Sequence, residues 1–123
     1  MTSSNETADS TPIDVQSLRT RCLGDLAFVS ELIGIFREQS LNTLAQLCQC
    51  ASIGDRAGVT KWAHAMKGSA ANLSADRLRA MCAELERSVG VISIAETQDR
   101  VSQITAEFGR CDAFFSVVLA DLK

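Results

Sequence analysis

Residues 101–122 read Val-Ser-Gln-Ile-Thr-Ala-Glu-Phe-Gly-Arg-Cys-Asp-Ala-Phe-Phe-Ser-Val-Val-Leu-Ala-Asp-Leu. Within them Val101, Ile104, Phe108, Cys111, Phe115, Val118 and Leu122 recur at alternating steps of three and four. That spacing lines one side of an α-helix and matches the seam of a helix bundle. Three upstream segments carry similar stripes. Leu26, Val29, Ile33, Phe36, Leu44, Leu47 and Ala51 form one, with polar Ser40 in its gap; Val59, Trp62, Met66, Ala70 and Leu73 form another. Leu78, Met81, Cys82, Leu85 and Val89 form the third. Asp25 is placed to cap the first stripe and Gly54 to end it, Ser74 is expected to N-cap the third, and Gly90 marks a break. Pro12, with Ile13, Val15, Leu18 and Cys22 after it, predicts a short helix with Pro near its first turn. Helices are therefore expected at 14–22, 25–53, 56–73, 75–89 and 95–122. Short loops make successive helices run in opposite directions. The expected fold class is all-α, an antiparallel up-down four-helix bundle with a short extra N-terminal helix.

Composition agrees with one domain of this kind. The chain has 123 residues, 46% hydrophobic and 22% charged, so a core is available and the composition disfavours global disorder. One Pro, no Tyr and 5% aromatic residues disfavour a β-sandwich or barrel. Residues 1–12 are rich in Ser, Thr, Asn, Glu and Asp and are expected to be a disordered tail, leaving 13–123 as the domain. A net charge of −3 argues against a general nucleic-acid binder. No apolar run approaches the ~18–20 residues of a membrane span. The five Cys are an odd number with no signal-like segment before them, so they read as reduced, cytoplasmic and mostly buried thiols. Cys48 and Cys50 are not spaced as a C-x-x-C pair, and no zinc or other metal is expected.

The chain has one His. A helical phase of about 100° per residue puts His64 opposite the Val59–Trp62–Met66–Leu73 stripe, so it is expected to face solvent. Thr60, Lys61, Lys67, Gly68 and Ala71 share its side of the helix. Lys61 and Lys67 supply positive charge, while Ala71 leaves the ring unscreened. Gly68 costs about 0.8–1 kcal/mol relative to Ala in mid-helix, and its outward phase points to another surface approaching closely. A neutral imidazole nitrogen is a nucleophile near pH 7 and can accept a phosphoryl group. No ATP-binding glycine loop is present, and the sequence places no general base beside His64. Any active site for phosphoryl transfer must then come from another protein. Arg56, Lys61, Lys67, Arg77 and Arg79 cluster in sequence around His64 and are expected to form a basic rim that steers an acidic partner. By their phase Trp62 and Cys82 belong to the core, and Ser69 to helix packing.

The run Ala63-His64-Ala65-Met66-Lys67-Gly68-Ser69, followed by Leu78, Cys82, Leu85 and Glu86, resembles the histidine-containing phosphotransfer (HPt) domain, whose signature is A-H-x-hydrophobic-K-G-S with a downstream L-x-x-x-C-x-x-L-E. The resemblance extends, by helix count and length, over roughly residues 15–123. It implies a cytoplasmic, monomeric phosphorelay intermediate in which His64 accepts a phosphoryl group from a receiver-domain aspartyl-phosphate and passes it to another receiver Asp. It also implies that Lys67 stabilises the phosphohistidine and that Gly68, with Lys61, Ala71 and Thr60, forms the docking surface. The partners implied are a response-regulator receiver domain or a hybrid sensor histidine kinase, which supply the catalytic groups and Mg²⁺. This chain is then a phosphoryl carrier without a cofactor of its own, not an enzyme. Ser74 departs from the family, which usually has Gly there. Two other readings stay open: direct phosphorylation of His64 by a kinase, and a helical interaction module that binds a receiver or regulator without phosphate.

Overall fold

Aspartates start three of the helices and left-handed residues end them, which is how a chain so poor in Pro punctuates itself. A computed structural model of the protein describes residues 11–122. Five helices follow in order: α1 Val15–Arg21, α2 Leu26–Ser52, α3 Arg56–Asn72, α4 Asp76–Ser88 and α5 Ile94–Leu122. Among the described residues there is no strand, and no helix is long and apolar enough to cross a membrane. Residues 1–10 of the expected tail, and the side chains of Val118 and Leu122, lie outside the described residues.

Each Asp cap satisfies an amide that the first helical turn leaves without a partner. Asp14 accepts from Ser17 N at 3.1 Å, Asp25 from Phe28 N at 3.1 Å, and Asp55 from Gly58 N at 2.9 Å. After α2 the chain reverses through Gly54, whose φ of +72° is a region that L side chains rarely adopt. Asp55 N then donates to Cys50 O at 2.9 Å, closing the last turn.

The apolar stripes meet where their spacing requires. Val29, Ile33, Phe36, Leu44 and Leu47 of α2 are buried with Val59, Met66 and Ala70 of α3. Leu78, Cys82 and Leu85 of α4 and Val101, Ile104, Phe108, Cys111 and Phe115 of α5 complete the core. Ser40 is buried at the gap in its stripe, and Trp62 and Met81 are half-buried against the core. The Phe36 ring lies 5.7 Å from that of Phe108 and meets Phe115 edge-on at 5.6 Å. Aromatic pairs of this kind add about 0.5–1.5 kcal/mol beyond the area they bury. Helix α2 packs on α3 and α5, α3 on α4, and α4 on α5.

The expected cap at Ser74 is corrected. The residue before α4 is Ala75, which makes no side-chain cap bond, and Ser74 sits one residue earlier at φ +57°. A left-handed conformation costs a non-glycine residue about 1–2 kcal/mol. Here the buried Ser74 is held by α1. Its hydroxyl accepts from Arg21 Nη2 at 3.0 Å and donates to Ser17 Oγ at 3.2 Å, and its carbonyl accepts from Asp14 N at 2.9 Å. The hydroxyl is therefore committed to α1 and does not cap α4. Helix α1 is anchored at the α3–α4 turn by these bonds and by buried Ile13 and Leu18, and Cys111 Sγ donates to the carbonyl of buried Pro12 at 3.9 Å.

Candidate functional site

Helix α3 has an inner face, Val59, Ala63, Met66 and Ala70, all buried. The same 3.6-residue repeat turns His64 away from it, and the imidazole is 67% exposed. The ring is nevertheless held. Its Nδ1 lies 3.0 Å from Oε2 of Glu86 on α4, and Oε1 of that carboxylate lies 2.8 Å from Lys67 Nζ. One acidic group thus joins the two sequence-predicted residues His64 and Lys67.

Glu86 follows the buried Leu85 and is itself half-buried, with 24% of its side chain exposed. Lys67, followed by the weaker influence of His64, holds its carboxyl below the usual range, and burial only partly opposes them. The ionised carboxylate can only accept hydrogen bonds. In the neutral imidazole the hydrogen therefore sits on Nδ1, directed at Glu86, and the lone pair sits on Nε2. The expectation that no acid–base group stands beside His64 is corrected by this contact. A signal for it was present in the sequence. Folding α3 back on α4 about the turn at Ser74 brings position 64 opposite the mid-eighties, and Glu86 is the residue there that follows a stripe position. Below it Cys82 is buried, and burial, reinforced by the Glu86 charge, pushes its thiol up to about 12, so it is inert.

Gly68 lies one turn beyond His64 on the exposed surface, and a Cβ built there would meet nothing within 4 Å. No internal packing accounts for the glycine. Lys61 is exposed and places its Nζ 4.8 Å from the centre of the Trp62 ring, a cation–π contact. Thr60 is half-buried and its hydroxyl donates to Arg56 O at 3.0 Å, so the hydroxyl hydrogen is already used. Ala71 is half-buried, with its carbonyl bonded by Arg21 Nη2.

The basic rim is smaller than sequence clustering implied. Arg56 is a structural clamp, donating to Val89 O at 3.0 Å and to Ile92 O at 2.8 Å. Arg77 turns to Glu107 at 3.5 Å on α5. Lys67 is paired with Glu86, leaving Lys61 and the exposed Arg79 of the five. All five cysteines are free, four of them buried and Cys48 exposed.

A family model described as Hpt domain matches residues 31–114, which is more than half of the chain and includes the whole of α3 and α4. No curated protein and no solved structure matches the chain.

Proposed function

Because the chain belongs to the Hpt domain family, whose members are phosphocarrier modules of two-component phosphorelays and not catalysts, we propose that His64 Nε2 is its phosphoryl acceptor. The observation that carries this is an exposed imidazole whose Nδ1 is held 3.0 Å from Glu86 while Nε2 is left to solvent beside an open glycine. In the step proposed, the Nε2 lone pair attacks the phosphorus of a receiver aspartyl-phosphate. The P–N bond forms, the acyl P–O bond breaks, and the receiver carboxylate leaves with the electron pair. The ring acquires positive charge as this happens, and the Glu86 carboxylate at Nδ1–H offsets it. Lys67 stands next to Glu86 and is suited to balancing the phosphoryl charge. Return of the group to a second receiver Asp is the reverse reaction.

On this reading the catalytic groups and Mg²⁺ are the receiver's, and Gly68, Lys61, Ala71 and Thr60 belong to the docking surface. Residues 13–123 act as one HPt domain, an antiparallel up-down bundle of α2 to α5 supported by the closed series of packed neighbours. A monomer in the cytoplasm completes the reading, and five free thiols are the form expected in a reducing compartment. The test mixes the protein with phosphorylated receiver domains and follows acid-labile, alkali-stable label on this chain. The parent becomes labelled and His64→Gln does not, while Lys67→Ala labels more slowly. Undiminished labelling of His64→Gln overturns the mechanism. Receiver binding without labelling of the parent favours the phosphate-independent interaction module.

A further inference from the structure

Once Nε2 carries a phosphoryl group, the fate of that group depends on the proton at Nδ1. With the proton in place the ring is an imidazolium. When the P–N bond then breaks, the electron pair returns to Nε2 and a neutral imidazole leaves. Without the proton the leaving group is an imidazolate anion, which departs far less readily. The surroundings of the ring decide which form persists near neutral pH. Oε2 of Glu86 lies 3.0 Å from Nδ1, and Lys67 foremost holds that carboxyl below the usual range, so it is ionised there. A carboxylate accepting from Nδ1–H favours the protonated ring through both charge and hydrogen bond.

The other charged groups nearby oppose it weakly. Lys61 and Lys67 of α3 each stand about one turn from His64. Lys67 Nζ is 2.8 Å from Oε1 of the same carboxylate, and Lys61 Nζ is drawn over the Trp62 ring. On α4, Glu84 pairs with Arg87, the Cys82 thiol is pushed up to about 12 by burial and stays uncharged, and the exposed Arg79 stands two turns before Glu86, about 10 Å along the helix. Helix α2 meets α3 where Cys50 lies beside Gly58 and where Phe36 lies beside Ser69, so the stretch between is level with His64. From Gln39 to Gln49 its only ionisable side chain is the Cys48 thiol. We propose that Glu86 keeps the phosphorylated ring in its protonated, labile form at neutral pH, which makes this chain a quick relay of phosphoryl groups and not a store of them. This role rests on the reading of His64 as the acceptor. In onward transfer a receiver Asp carboxylate oxygen attacks the phosphorus, the O–P bond forms, the P–N bond breaks, and neutral His64 is regenerated with its hydrogen still on Nδ1. No proton has to arrive from solvent. In hydrolysis water takes the place of the carboxylate; its hydroxyl ends on phosphorus and its other proton on a phosphate oxygen.

The experiment labels the parent and Glu86→Gln with phosphoramidate, a small donor that needs no partner, removes the donor, and follows the decay of label between about pH 5 and pH 9 without any receiver. Glutamine keeps a hydrogen-bonding group in place and removes the charge. The label on Glu86→Gln is expected to outlast that on the parent about fivefold or more near pH 8, the difference narrowing toward about pH 5, where both rings are protonated. In ¹⁵N NMR of the phosphorylated proteins, Nδ1 of the parent keeps its proton to higher pH than Nδ1 of the variant. Glu96→Gln, which removes an acidic group paired with Arg100 on α5, decays as the parent does. A role for Glu86 in packing alone would not move this pH dependence. Superimposable decay profiles for parent and Glu86→Gln overturn the proposal and leave the acceptor reading standing. If circular dichroism shows that Glu86→Gln is unfolded, the parent decides alone: a protonated Nδ1 in its phosphohistidine at about pH 7.5 supports the proposal and a deprotonated one overturns it. A parent that phosphoramidate labels no better than His64→Gln overturns the acceptor reading itself, and this role with it.

Discussion

Gly58 and Gly68 are on the same helix and have opposite reasons to be glycine. At Gly58, where α3 starts beneath α2, a Cβ would lie 2.5 Å from buried Cys50 Sγ and 2.6 Å from Asp55 Oδ2, the carboxylate that caps the helix. At Gly68 a Cβ would meet open space. The first glycine is crowded by side chains of its own fold; the second lowers helix stability with no return inside the molecule. The residue type alone does not distinguish the two. The neighbours do, and a glycine that its own fold does not need directs attention to a surface from outside.

Substitutions on the two sides of this divide should separate stability from function. The largest change in stability is expected on the packed side. Phe36→Ala empties the space between Phe108 and Phe115 and should cost about 3–5 kcal/mol, measured by denaturant unfolding, whereas the exposed His64→Gln should stay within about 0.5 kcal/mol of the parent. Gly58→Ala should be the next largest. The thiol and the capping carboxylate must both move, and overpacking of this kind costs about 1–3 kcal/mol. Gly68→Ala should have the opposite sign, stabilising the free protein by about 0.8–1 kcal/mol. Gly68→Trp should also not destabilise it, yet should block receiver docking by overlap, read as lost phosphoryl exchange with intact melting. Destabilisation by Gly68→Ala would erase the comparison.

The smallest effect concerns Glu86. Its carboxyl titrates lower in the folded chain than in the unfolded one, held down by Lys67 and then by His64. Its contribution is therefore fully present above the ordinary carboxylate range and is lost as pH falls through the lowered value. Thermal melting of the parent between about pH 6 and pH 3 should fall more steeply than that of Glu86→Gln, which has no such proton to gain. Equal slopes would show that the His64–Glu86–Lys67 contacts contribute nothing measurable in solution.

Helix existence, the buried stripes and the outward phase of His64 were legible in the sequence because each is set by local periodicity. One turn of helix relates His64 to Lys67 and Gly68, and no distant residue is needed to place them. The Arg56 clamp on the carbonyls of Val89 and Ile92 was not legible, since a cluster of basic residues in sequence says nothing about which of them meets a partner across the bundle. The role of Ser74 is not legible for a related reason. Serine before a helix favours a cap, but here the bonds to Arg21 and Ser17 of α1 override that preference and hold a conformation usually left to glycine. Sequence by itself determined an all-helical chain with one imidazole facing out, because spacing at 3.6 residues per turn decides both. Only the tertiary structure decided that Glu86 orients that imidazole and that Gly68 has no internal neighbour, because contacts between helices depend on how α3 lies against α4 and α2, which no single helix encodes.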